Sequence, residues 1–480
     1  MQKPSLQKQV DILACVIEQW EDQDNAIEHA LTAPELEKVI DVSLTDAASS
    51  EQAVEQAILD YLKYSPKSAH PEYYKLLYSG LNKEALLGDW VTSLSNSTMH
   101  TYQVGPVATL MELELIKQWN KLVGFDQGDG VMVSGGSQAN IVGMMLARHK
   151  ACPEFKTKGF AASHGRRLIA YVSDQAHYSN QRAVNILGIG SENLRSIESD
   201  ELGRIKPEAL SKAIKSDLEK GHLPFYIGLT AGTTVVGAYD SVPECSEIAH
   251  KHNIWLHIDG AWGAPVLYSD KFKHLLAGSH LADSFAWDAH KLLNVPITAA
   301  VILVKQAGIL KECTAGGGGE YLFHTDANSA YNLGERSIQC GRRADALKVW
   351  LSWKAVGSSG FAQKVDQLQE TKAQGVEMIQ SRPALEILAP TDYLNILFRF
   401  NDKTRSEEAL AALNVQICKT MRENGGAYVD HAKYKGHTGI RLIIANQQTQ
   451  VRDLERLLLE VERIGKELSA ELGKSKASVV

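Results

Sequence analysis

The chain has 480 residues, 44% of them hydrophobic and 22% charged, with a formal net charge of −7. Those proportions suit a globular protein with a large core, and the dispersed basic residues offer no cationic face to nucleic acid. No apolar run reaches the roughly 20 residues of a membrane-crossing helix, and Met1-Gln2-Lys3-Pro4-Ser5 turns polar too soon for a signal peptide. Six cysteines (Cys15, Cys152, Cys245, Cys313, Cys340 and Cys418) form no Cys-x-x-Cys pair. Neither a metal site nor a disulfide framework is expected, and the expected compartment is a reducing cytoplasm.

Residues 1–90 read as a helical arm. Leu6, Val10, Leu13, Val16, Ile17 and Trp20 recur at helical spacing, as do Val54, Ala57, Ile58, Tyr61 and Leu62. Two such helices make no core of their own, so the arm is expected to lie across another body such as a second subunit. From 91 to 365 short apolar runs alternate with amphipathic stretches. Strands are predicted at 168–172, 225–229, 254–258, 284–287 and 299–304, with helices at 141–150, 207–220 and 242–252. This alternation predicts an α/β domain, a mostly parallel sheet with helices on both faces and ligands at the carboxyl ends of its strands. A long helix at 361–381 leads into a small C-terminal α/β domain, 366–480. Its strands are predicted at 393–400 and 439–444, and its helices at 406–423 and 450–472.

Trp287-Asp288-Ala289-His290-Lys291 sets a lysine between two apolar stretches. Partial burial there strips a lysine of its charge and makes it nucleophilic, which suits a Schiff base with pyridoxal phosphate (PLP). Asp259 closes the run 254–258, where a carboxylate can hold the pyridine nitrogen of that cofactor protonated. Ser134-Gly135-Gly136-Ser137-Gln138-Ala139-Asn140 opens a helix, offering close backbone approach and unpaired N–H groups to a phosphate. It has neither the Walker lysine nor the spacing of a dinucleotide loop. His177 follows the strand 168–172 and can stack on a ring, Thr230 follows 225–229, and His290 adjoins the lysine as a phosphate contact. Each alone has a plain structural reading: a surface lysine, a strand-end cap, a glycine turn, a packed histidine.

Together these segments resemble the PLP-dependent group II decarboxylases, which act on glutamate, cysteine sulfinate, aspartate, 2,4-diaminobutyrate and aromatic amino acids. The likeness runs from His70-Pro71 to the last helix and is nearest to the glutamate/cysteine-sulfinate/aspartate branch. It rests on Thr230-Ala231-Gly232-Thr233-Thr234, Trp255-Leu256-His257-Ile258-Asp259, Tyr321-Leu322-Phe323, Gln339-Cys340-Gly341-Arg342-Arg343 and Trp350-Leu351-Ser352-Trp353-Lys354-Ala355. The resemblance implies PLP fold type I, like the aspartate aminotransferases, and a homodimer with active sites at the interface. It implies α-decarboxylation of a small L-amino acid, with an acidic substrate foremost. By position it makes Lys291 the aldehyde-capturing lysine, Asp259 the pyridinium partner, His177 the stacking histidine and Ala261 the contact on the other ring face. Ser137, Gln138 and His290 match phosphate contacts, Thr230 a residue near the phenolate, and Arg441 the arginine that pairs with the substrate carboxylate. Tyr331 matches the tyrosine of a mobile loop that protonates Cα.

The chain also departs from the family. Leu76 stands where glutamate enzymes tend to have glutamine and cysteine-sulfinate enzymes phenylalanine. Thr98 and His100 replace asparagine and phenylalanine in the same substrate pocket. Asp288 replaces a neutral amide, so no phosphate contact is assigned to it. The loop of Tyr331 is slightly shorter than in the animal glutamate enzymes. These departures keep open decarboxylation of 2,4-diaminobutyrate or an aromatic amino acid, another PLP reaction such as oxidative deamination, and a non-catalytic homologue.

Overall fold

The computed structural model describes residues 6–21, 26–316 and 319–477. The described residues divide into two compact units. One is Leu81–Ala373 with Ala389–Ile396; the other joins Met1–Gly80, Gln374–Leu388 and Leu397–Val480. The sequence suggests three consecutive segments instead, with the first ninety residues as a separate arm.

The larger unit holds a seven-stranded sheet: β1 (Asp129–Val133), β2 (Leu168–Ser173), β3 (Leu194–Ile197), β4 (Leu223–Thr230), β5 (Trp255–Asp259), β6 (Ser284–Asp288) and β7 (Ala300–Val304). Their order is β1-β7-β6-β5-β4-β2-β3, and only β7 runs antiparallel to its neighbours. β2, β5, β6 and β7 are buried along their whole length, as near-continuous apolar runs should be when helices cover both faces. β1 and β3 escape the sequence pattern. β1 carries Gly130, and β3 is a four-residue edge strand whose Arg195 and Ser196 break the apolar run.

The helices Pro207–Glu219 and Val242–His252 start with proline in the first turn, where its missing N–H costs nothing. The second stops at Asn253, whose left-handed φ of 53° ends the helical path. The long helix begins at Ala346, well before the predicted 361. Gly357, at φ 64° and ψ 176°, interrupts it, and that break hides its first part from helical periodicity.

In the smaller unit β8 (Leu385–Ile387), β9 (Asn395–Phe400), β10 (Asp430–Tyr434) and β11 (His437–Ile443) form a sheet in the order β10-β11-β9-β8. The N-terminal residues cluster here because their backbone groups find partners near the C-terminus. Tyr74 N donates to Tyr428 O (2.9 Å), Tyr428 N to Glu72 O (3.0 Å) and Thr449 Oγ1 to Pro71 O (2.6 Å). Asn446 Nδ2 donates to the carbonyls of Ala69 and His70. Among the described residues no helix is long and apolar enough to cross a membrane.

Two groups of side chains anchor the larger unit. In the first, Trp287 faces an aromatic cluster with Trp119, Tyr268, Trp353 and Phe361, with ring centroids 5.1–6.2 Å apart. Strand alternation therefore turns the next residue, Asp288, to the opposite face. In the second, Glu112 and Arg342 form a buried ion pair at 2.7 Å, and the other Glu112 oxygen accepts Met132 N of β1 at 2.9 Å. Glu112→Ala strands a buried guanidinium and should destabilise the cofactor-free protein by about 3–5 kcal/mol. Glu154→Ala, at the exposed and solvent-screened Glu154–Lys158 pair, should leave stability almost unchanged. Denaturant midpoints of the two variants check this; equal shifts would contradict it.

Candidate active site

Four parallel strands deliver chemistry-bearing residues to one edge of the sheet. β4 ends at Thr230, β5 at Asp259 and β6 at Asp288, while His177 follows the end of β2. Thr230 pairs with Asp259 in register, and Asp259 with Ala286. A turn closed by Lys291 N to Asp288 O (3.2 Å) then carries Lys291 back over the strand end. Its Nζ lies 3.3 Å from Asp288 Oδ2, and the side chain is 21% exposed. The expected partly sheltered amine is there, with a carboxylate beside it.

β1 leads into Gly135 and the helix Gly136–Ala151. A side chain on Gly136 would sit 2.9 Å from both Ala261 Cβ and Asp288 Oδ2, so only glycine lets this backbone approach that closely. A side chain on Gly135 would meet nothing within 4 Å. The helix N-terminus thus faces open space on one side and the lysine's strand on the other. Gln138 is pinned: its Oε1 accepts Ser134 N (2.9 Å) and Oγ (2.5 Å), and its Nε2 donates to Gln339 Oε1 (3.2 Å). Ser137 lies in the helix's first turn, where N–H groups have no intrahelical acceptor.

His290 Nε2 lies 3.5 Å from Asp288 Oδ2, and its Nδ1 lies 3.1 Å from Ala299 N. Nδ1 also lies 3.0 Å from Ala299 O, so the Ala299 peptide holds this nitrogen through its N–H in one tautomer and through its carbonyl in the other. Burial lowers the pKa of His290, against the opposing pull of Asp288. Asp288 is 2% exposed, and its Oδ1 has no hydrogen-bond partner among the described residues. A carboxylate repels a phosphate, so Asp288 is a poor phosphate contact.

His177 Nδ1 accepts Ser179 N at 3.2 Å, which leaves the proton of the neutral ring on Nε2. Burial lowers its pKa; Asp259 and Asp288 oppose that and Lys291 adds to it, so all four groups share one electrostatic neighbourhood. Both Asp259 oxygens accept hydrogen bonds: Oδ1 from Ala261 N (3.1 Å) and Oδ2 from Asn140 Nδ2 (2.7 Å). An amine, an acceptor carboxylate, an imidazole and an open helix N-terminus form the donor set PLP requires, and the glycines leave room for it. The residues present fit that cofactor.

Thr98, His100 and Tyr331 belong to a second cluster of the larger unit. Thr98 Oγ1 lies 3.2 Å from His100 Nδ1 and accepts Arg342 N at 3.2 Å. Gly334 N donates to His100 O (2.9 Å), and Tyr331, 40% exposed, lies ring to ring with Tyr102 at 5.4 Å. Leu76 and Arg441 belong to the smaller unit. Leu76 packs on Ile27, Tyr73 and Tyr428, and Arg441 Nη2 donates to Lys75 O at 2.6 Å. Sequence reasoning missed Asn140 as a partner of Asp259, and His257 as the partner of Asn140 behind it. Alternation offers the signal for His257, two residues before Asp259 on the same strand face.

The pyridoxal-dependent decarboxylase conserved domain matches residues 34–401. The chain belongs to the pyridoxal-dependent decarboxylase family. It is 35% identical over 446 residues to the acidic amino acid decarboxylase GADL1 of Bos taurus, covering 90% of this chain and 85% of that protein. It is 33% identical over 447 residues to human cysteine sulfinic acid decarboxylase, covering 90% of each. The crystal structure of mouse CSAD superposes with a TM-score of 0.92 at 30% identity, covering 96% of this chain and 99% of that one. The enzyme is therefore a PLP-dependent amino-acid carboxy-lyase of fold type I, as its sheet also indicates.

His257, fully buried beside this site, has its pKa pushed down to about 4 by burial. The unfolded ring, at about 6.5, takes up a proton that the folded ring refuses, so acid favours unfolding between about pH 6.5 and 4. The loss across that window is roughly 3 kcal/mol. His257→Gln cannot titrate, so its denaturant midpoint should fall less than the wild type's between pH 7 and pH 4. A parallel fall would contradict the buried neutral ring.

Proposed function

We propose that the enzyme removes the α-carboxylate of an acidic L-amino acid (glutamate, aspartate or cysteine sulfinate) as carbon dioxide, leaving the amine. The observation that carries this reading is the placement of Lys291 and Asp259 at the ends of neighbouring strands, in a chain whose relatives act on acidic amino acids. PLP, when bound, supplies the electron sink for the bond that breaks at Cα. Lys291 would hold the cofactor aldehyde, and Asp259 would keep a proton on the pyridine nitrogen. His177 and Ala261 would flank the ring, and Thr230 would lie near its phenolate. Ser137, Gln138 and His290 would hold the phosphate at the helix N-terminus.

Arg441 pairs with a substrate carboxylate, a task its planar fork suits better than an ammonium would. Thr98 and His100 shape the substrate pocket within the larger unit, and the family resemblance makes Leu76 a substrate-binding residue of the smaller one. Tyr331 returns a proton to Cα, which completes decarboxylation and prevents transamination. Pairing of two copies is supported by Leu87, Val91 and Leu94, an exposed apolar stripe on the helix Lys83–Ser95, with Val107 and Leu110 exposed nearby in sequence. Five cysteines are free among the described residues, which suits a reducing cytoplasm.

A panel of L-glutamate, L-aspartate, L-cysteine sulfinate, L-2,4-diaminobutyrate and aromatic L-amino acids, assayed for carbon dioxide and amine, tests the reading. An acidic substrate should be preferred, and Arg441→Lys should raise its KM about tenfold or more. Preference for a cationic or aromatic substrate overturns the acidic assignment, and hydrogen peroxide with ammonia as products overturns the reaction.

A further inference from the structure

Behind Asp259 four side chains of the larger unit form one hydrogen-bonded chain that ends on its carboxylate. Trp255 Nε1 donates to Ser284 Oγ at 2.8 Å, and Ser284 Oγ lies 2.8 Å from His257 Nδ1. His257 Nε2 lies 2.9 Å from Asn140 Oδ1, and Asn140 Nδ2 donates to Asp259 Oδ2 at 2.7 Å. Ser284, His257 and Asn140 are at most 1% exposed. Water therefore has little access to the links between them.

The direction of every link follows from the Asp259 end. Asn140 gives its amide nitrogen to the Asp259 carboxylate, which leaves its carbonyl oxygen, an acceptor only, facing His257 Nε2. The neutral ring therefore holds its proton on Nε2, and Nδ1 is the acceptor. Ser284 Oγ gives its own hydrogen to Nδ1 and accepts from the indole N–H of Trp255. The amide nitrogen's second hydrogen goes to Ser179 Oγ at 2.8 Å. No donor in the chain is left without an acceptor. The low pKa of His257 agrees with a ring bearing a single proton.

The backbone makes room for this arrangement. His257 pairs with Ser284 across β5 and β6. A side chain on Gly143 would come within 2.7 Å of His257 Nδ1, so the glycine lets the helix Gly136–Ala151 lie against the ring. Asn140 cannot pass a proton onward, so the chain orients groups and conducts nothing.

We propose that Trp255, Ser284, His257 and Asn140 are positioning residues that fix Asp259 as a pure hydrogen-bond acceptor, leaving it to keep the cofactor's pyridine nitrogen protonated. This rests on the reading of Asp259 as the pyridinium partner. Asn140→Asp keeps the shape but turns the amide donor into a second carboxylate oxygen. The measurement is the protonation of the ring nitrogen by 15N NMR of holoenzyme loaded with ring-labelled PLP, together with the PLP dissociation constant. In the wild type the nitrogen should be a pyridinium. In Asn140→Asp its signal should move towards unprotonated pyridine, with the dissociation constant rising about tenfold or more.

A folded Asn140→Asp protein with a pyridinium signal and wild-type affinity overturns the relay. An unprotonated nitrogen in the wild type overturns the reading of Asp259 itself, a different result. Should Asn140→Asp fail to fold, 15N-histidine labelling of the wild type decides, with His257→Gln assigning the resonance. A proton on Nε2 of His257 supports the relay, and a proton on Nδ1 overturns it.

Discussion

Two parallel strands in register hold this site together: Asp259 closes β5 opposite Ala286 of β6, and the lysine turn begins two residues further on. Backbone hydrogen bonds at sheet spacing thus set where an acid group and an amine stand relative to each other. Neither depends on a mobile loop for its placement. Alternation along β6 does the rest, because Trp287 is anchored in an aromatic cluster on one face and Asp288 must therefore turn to the other. The aromatic cluster is structural, yet it decides which residue meets the lysine.

Around that pair the chain solves two electrostatic problems differently. Asp259 has both oxygens engaged by donors, one from backbone and one from an asparagine fixed in direction. Asp288 shares one oxygen between Lys291 and His290 and leaves the other unpartnered among the described residues. The first arrangement suits a carboxylate that faces a cationic ring nitrogen. The second suits a counter-ion for the amine.

Much of the sheet was readable in the sequence because its central strands are buried on both faces, and continuous apolar runs leave a plain signature. β1 and β3 were not, since Gly130 and the polar Arg195-Ser196 pair dilute that signature at strands whose partners come from elsewhere in the chain. The first turns of the long helix were hidden by Gly357. Grouping of the N-terminal residues with the C-terminal ones depends on carbonyl acceptors at Ala69, His70 and Pro71, and backbone acceptors have no sequence pattern. In the site, Lys291 and Asp259 stood out by their strand-end positions. Asn140 and His257 did not, because a buried amide and a buried imidazole declare their role only through the partners that folding brings within 3 Å.

The whole site turns on Lys291 being the amine that captures the cofactor. Borohydride reduction of the PLP-loaded protein, followed by peptide mapping, measures this directly, with Lys348 and Lys364 as internal controls because both are more deeply buried lysines of the same unit. The reduced cofactor should appear on the peptide that contains Lys291 and on no other. A cofactor fixed to Lys348, Lys364 or any other lysine would contradict it.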